Sequence, residues 1–181
     1  MVRYRLADSG HLPQAYLRAT AALAGAREED GAAGLSARPL AGVPLRVAAE
    51  GRVTVTGQAT EVRPAAFAVT ELPPARLPLG SRAEAYLQAG WVGGRYATAF
   101  VDGQARVEHP LARIGTTEVT AGAGVWGGAQ KGATRLDVGP SARVSFRLCI
   151  GEGRVAADYR VRVAGDAQPG SGPALTLSAG F

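Results

Sequence analysis

The sequence predicts an all-β chain: an antiparallel up-and-down transmembrane β-barrel of about ten to twelve strands, even-numbered by the rule for such barrels. Three observations predict it. Long segments alternate apolar and polar residues with a period of two. The two faces so defined differ in chemistry: one is Ala, Val and Leu, the other Arg, Asp, Glu, Gln, Thr and Gly. The last segment, 173–181, is still alternating when it reaches Phe181. A soluble β-sandwich or a lipocalin-like barrel is the alternative fold.

In chain order, residues 2–7 set Val2, Tyr4 and Leu6 against Arg3, Arg5 and Ala7, and a turn follows at 8–10. Residues 14–25 are Ala-rich and also compatible with helix. Their polar set, Gln14, Tyr16, Arg18 and Thr20, recurs in twos and favours a strand. Residues 26–31 read as a charged turn, and 32–40 as a weak strand ending at Pro39. Pro44 suits the start of the next strand. Residues 56–80 form a Pro-rich irregular segment, with prolines at 64, 73, 74 and 78 limiting ladder pairing and one strand expected near 65–70.

From residue 81 the alternation sharpens. Segments 81–92, 95–108, 116–128, 133–148 and 153–164 are joined by Gly-rich turns, including Gly93-Gly94 and 128–132, and by an expected loop at 109–115. Soluble strands average about five to six residues. A tilted membrane strand needs roughly nine to eleven, which these segments reach. The final strand places Pro173, Leu175, Leu177, Ala179 and Phe181 on one apolar face.

Bulk properties bound the function. The chain has 181 residues, enough for one medium barrel, read as a single domain. It is 46% apolar but only 6% aromatic, with girdle candidates Trp91, Phe146, Tyr159 and Phe181. No apolar run approaches the roughly 18 residues of a transmembrane helix, which leaves a strand-built membrane protein possible. The net charge of +5 comes from arginines spaced singly along strands, with Lys131 the single lysine, so a nucleic-acid partner is not expected. Cys149 has no partner for a disulfide. Met1 leads straight into alternating sequence without an apolar leader, so an exported reading requires a longer protein of which this is the C-terminal part.

Catalytic constellations are weak. Ser81 or Ser145, His109 and Asp102 write a Ser-His-Asp set on paper, without a strained elbow for the nucleophile. Asp102 and Glu108 share a face with Arg106 and are expected to pair with it. The glycine-rich 122–128 lacks the Lys-Ser/Thr of a phosphate loop. Neither a metal nor a cofactor is expected.

The polar face is expected to line a lumen with Arg82, Glu84, Asp102, Arg106, Glu108, Arg135, Asp137, Arg143, Arg147, Arg154, Asp158, Arg160 and Arg162. Arginine suits such a lining because its planar fork bonds two carboxylates or backbone groups at once. The excess of Arg over acid at 143–162 favours an anionic polymer. A C-terminal strand ending in Leu175, Leu177, Ala179 and Phe181 resembles the assembly signal read by the barrel-assembly machinery of bacterial outer membranes.

The stretches RPLAGVPLRVAAEGRV (38–53), AEAYLQAGWVG, FVDGQARVEHPL, GAGVWGGAQKGATRLDVGPSA and DYRVRVAGDAQPGSGPALTLSAGF resemble the C-terminal domain of the NfrA-type phage-adsorption protein A family, over roughly residues 35–181. That family is similar to the BcsC-type exopolysaccharide exporters. The resemblance implies an outer-membrane barrel in contact with lipid, placed after a signal peptide and periplasmic helical repeats. It implies export of an exopolysaccharide and service as a phage receptor, and no catalytic residues. A soluble secreted β domain binding a carbohydrate or protein is the rival function.

Overall fold

The computed structural model describes residues 2–21, 28–56, 59–95, 97–148, 151–168 and 170–180. Twelve strands follow one another: β1 (Val2–Arg5), β2 (Gln14–Ala21), β3 (Glu28–Ala37), β4 (Leu45–Thr56), β5 (Ala59–Thr70), β6 (Ala75–Arg76), β7 (Arg82–Val92), β8 (Thr98–Ile114), β9 (Thr117–Gln130), β10 (Ala133–Leu148), β11 (Gly151–Gly165) and β12 (Gly172–Gly180). They form one antiparallel sheet whose order is the chain order, with the short β6 pairing β7 off that path. This is an up-and-down meander, as the alternating segments and short turns predict. A 3-10 turn at Pro78–Gly80 is the one helical element among the described residues. Among the described residues no helix is long and apolar enough to cross a membrane, which says nothing of strands.

The chain divides into two compact units, Met1–Glu71 with Leu87–Val101, and Leu72–Tyr86 with Asp102–Phe181. In the first unit, β2 to β5 pair in continuous registers such as Tyr16↔Gly34, Gly34↔Glu50 and Glu50↔Ala65. That row carries a close approach. A Cβ on Gly34 would lie 2.8 Å from the Tyr16 ring and 2.6 Å from the Ala49 carbonyl, so only glycine lets the ring lie flat there. In the second unit, β9 pairs β10 from Ala133↔Gln130 to Ser145↔Glu118. Strand β11 pairs β10 on one side and β12 on the other. The β10–β11 register shifts at Leu136/Asp137, a bulge that increases local twist.

Several boundaries differ from expectation, and in each case ladder pairing outweighs local composition. Glu28–Gly31, expected in a turn, belong to β3 because they pair β2 (Thr20↔Asp30) and β4 (Glu29↔Val55). Residues 22–27 lie outside the described residues. Strand β5 begins at Ala59 rather than near residue 65 and runs through Pro64. The missing Pro64 N–H is tolerated because the β7 ladder stops at Ala65↔Val92, and the Pro64 carbonyl still accepts from Gly93 N at 2.7 Å.

Strand β7 ends at Val92 and β8 begins at Thr98, so their connection is longer than Gly93-Gly94; Gly94 takes φ +99°, and residue 96 lies outside the described residues. The expected loop at 109–115 is strand as far as Ile114, so His109 and Pro110 lie within β8. The chain then reverses at Gly115 (φ +60°) and Thr116. The turn expected over 128–132 narrows to Lys131 and Gly132. Cys149 and Phe181 lie outside the described residues.

The alternation resolves into faces. On β7, Ala85, Leu87, Ala89 and Trp91 are exposed, while Glu84, Tyr86 and Gln88 are partly covered. On β11, Asp158 is buried between exposed Ala157 and Tyr159. The buried set is mostly small or polar, including Ala48, Glu50, Arg106, Asp137 and Asp158, with Tyr16, Val92 and Trp126 its larger members. Large apolar side chains stand outward, with Leu87 at 54% and Leu177 at 72% exposure. A sheet built for water buries the opposite face.

Candidate functional site

The polar face of the second unit holds the charged residues expected to line a lumen; most are covered, while Arg82, Arg147 and Arg154 are exposed. Their contacts reach across strands. Arg143 on β10 donates to both oxygens of Glu84 on β7, at 3.1 and 3.0 Å. It also lies 3.1 Å from Glu108 on β8, which accepts from the Thr120 hydroxyl at 3.0 Å. Arg106 on β8 donates to Asp158 on β11 at 2.9 Å, and Ser141 donates to the other Asp158 oxygen at 2.7 Å. Each arginine thus bridges strands three apart in the sheet order, so this face is concave.

The remaining partners complete the network. Asp137 is fully buried and accepts from Arg135 and Arg162. Asp102 accepts from the Tyr86 hydroxyl at 2.7 Å, not from Arg106 as its shared face suggests. Trp126 is buried between two guanidiniums, Arg160 at 4.8 Å and Arg106 at 5.4 Å from its ring. This stacking places a flat apolar ring where two cations need a neutral neighbour. Arg82 and Arg113 both approach Glu118, at 3.3 and 3.7 Å. Arg154 lies 3.9 Å from Glu152, and Arg147 is exposed.

Buried charges are retained only when paired and hydrogen-bonded, because desolvation of an isolated ion costs several kcal/mol. Asp137 and Asp158 each meet that condition with two arginines. The ion pairs therefore fix strands against one another.

A cavity of about 290 Å³ opens in this unit, lined by Arg82, Glu84, Arg106, Glu108, Arg113, Glu118, Arg143, Phe146, Arg147, Glu152 and Arg154 among others. Phe146 lies over Gly153, its cross-strand partner on the phase of Val155 and Tyr159, where a Cβ would meet its ring at 2.5 Å. The cavity takes up Arg82, Glu84, Arg106, Glu108, Arg143, Arg147 and Arg154 of the expected lining. Asp102, Arg135, Asp137, Asp158, Arg160 and Arg162 stand outside it. Of the terminal set, Leu175 and Leu177 are exposed, and Ala179 pairs Gly153 through its backbone.

The first unit carries polar clusters that the sequence reading did not single out. The Tyr16 hydroxyl donates to Glu50 at 2.6 Å, and Arg18 and Arg52 bond the other Glu50 oxygen at 3.1 and 2.5 Å. Arg46 and Arg38 donate to the two oxygens of Glu71 at 2.6 and 2.8 Å. Burial alone would push the Glu71 carboxyl up. The hydrogen bonds and charges of Arg46 and Arg38 outweigh it and hold the group below its ordinary value. The signal was present as Arg46, Ala48, Glu50 and Arg52 on one phase of β4.

Ser81 Oγ lies 3.2 Å from His109 Nδ1, while Asp102 is engaged by Tyr86, so the paper triad is not assembled. Among the described residues no group of His, Cys, Asp and Glu is placed to hold a metal ion. Compared with protein-family models, with curated proteins and with solved structures, the chain matches none.

Proposed function

We propose that the sheet is the wall of an outer-membrane β-barrel, a pore or anchor that serves the export of an anionic exopolysaccharide. One observation carries the membrane reading: in the same strands, charged side chains such as Glu50, Arg106, Glu108, Asp137 and Asp158 are buried, and Val, Leu and aromatic side chains stand exposed at alternate positions. Lipid accepts that outer face, whereas water penalises it by about 25 cal/mol for each Å² of apolar surface left exposed. The polymer role rests on the cationic surplus of the polar face and on the resemblance to NfrA-type and BcsC-type exporters. Service as a phage receptor is part of the same proposal, as is reliance on the barrel-assembly machinery.

The test is fractionation of the expressed chain. A barrel partitions with outer membranes, needs detergent for extraction and migrates faster on gels unheated than boiled. Recovery from the aqueous fraction with heat-independent mobility would sink the reading in favour of a soluble β domain. The anion role is checked by planar-bilayer recording: if neutralising Arg147 and Arg154 leaves ion preference unchanged, the polymer assignment fails.

A further inference from the structure

We propose that the cavity of the second unit is a subsite for one acidic sugar residue, a ring bearing a carboxylate and free hydroxyls. The proposal deepens the export reading by naming where and how the polymer is held. Its first support is charge. Six arginines and four glutamates line the cavity. Arg106 is committed to Asp158, which is outside the lining. Arg143 is committed to Glu84 and Glu108. Arg82 and Arg113 share the single carboxylate of Glu118. Arg147 pairs in register with Glu152 but forms no ion pair among the described residues. The surplus therefore sits on exposed guanidiniums, whose planar forks match a carboxylate.

The second support is the company these arginines keep. Glu118, Glu152 and the hydroxyls of Thr116, Thr120 and Ser145 also line the cavity. They accept hydrogen bonds from sugar hydroxyls, and the carboxylates repel a doubly charged phosphate. The volume of about 290 Å³ is at the small end of ligand sites and suits a short segment rather than a long one.

The experiment is isothermal titration of the folded, detergent-solubilised chain with trigalacturonate, maltotriose and inorganic phosphate. Trigalacturonate is expected to bind, and the other two to bind at least tenfold more weakly, the factor of about one lost charge-assisted hydrogen bond. The double variant Arg113→Gln/Arg147→Gln is expected to weaken trigalacturonate binding by a similar factor, and Arg76→Gln, exposed and outside the cavity, to leave it unchanged. Glu118→Gln, which releases Arg82 and Arg113, is expected to tighten it. Heat-dependent mobility and strand circular dichroism confirm that each variant is folded. Absent binding, equal binding of maltotriose or phosphate, or an unaltered double variant would overturn the subsite. Binding retained in a chain that proves water-soluble would overturn the barrel and leave the subsite standing.

Discussion

Arg143 on β10 grips both oxygens of Glu84 on β7, 59 residues away, at 3.1 and 3.0 Å. The same guanidinium lies 3.1 Å from the buried Glu108, so one side chain serves two carboxylates. Removing it leaves Glu108, 7% exposed, without its cation, and the more exposed Glu84 without its fork. Arg143→Met is expected to destabilise the fold by about 3 kcal/mol, and adding Glu84→Gln to recover part of that loss. Urea unfolding into lipid vesicles measures both. A cost no larger than that of the exposed Arg113→Gln would show that the fork does not stabilise the sheet.

The Tyr16 ring lies over Gly34 and delivers its hydroxyl to Glu50 at 2.6 Å. Gly34→Ala puts a methyl group 2.8 Å from that ring. The expected cost is about 1–3 kcal/mol, the range for overpacking a close site. Tyr16→Phe keeps the ring and removes the bond, for about 1.5 kcal/mol, since the acceptor is charged. If the two changes combine additively in a double-mutant cycle, the ring and the glycine do not act as a unit.

The two tryptophans differ in exposure: Trp91 is 47% exposed among the outward apolar side chains of β7, and Trp126 is 5% exposed against Arg106 and Arg160. In vesicles of brominated lipid, the single-tryptophan variant keeping Trp91 (Trp126→Phe) is expected to be strongly quenched. The variant keeping Trp126 (Trp91→Phe) is expected to be nearly unaffected. Equal quenching of both contradicts the apolar-out arrangement.

Glu71, outside the strands, yields a pH dependence. Its native value is depressed below 4.5, because bonding by Arg46 and Arg38 outweighs burial. The unfolded or opened loop therefore binds the proton more readily than the native one. The stabilisation is fully present above pH of about 4.5 and is lost as pH falls through the depressed value. Hydrogen exchange of the Glu71 amide, which donates to Pro44 O at 2.7 Å, is expected to accelerate across that acidic window. Glu71→Gln is expected to abolish the step; an unchanged acidic profile would place the titration elsewhere.

Much of the architecture was legible in the chain because the period of two is a local property of a strand. The alternation of 133–148 matches β10 end to end, and it assigned Asp137, Ser141 and Arg143 to the covered face. Where strands stop was less legible. Glu28–Gly31, residues 59–64 and His109–Ile114 look like turn or loop by composition, yet neighbouring strands supply their hydrogen bonds. Local sequence does not report that supply.

By itself, then, the sequence determined the all-β class, the meander and the chemistry of each face, since those follow from side chains alternating along an extended backbone. Only the tertiary structure decided which charges meet. Arg106 shares a strand face with Asp102 and Glu108, yet it bonds Asp158, 52 residues away, while Tyr86 takes Asp102 and Arg143 approaches Glu108. Sheet curvature brings strands three apart within reach of one guanidinium, and curvature accumulates over many pairings rather than residing in any one segment.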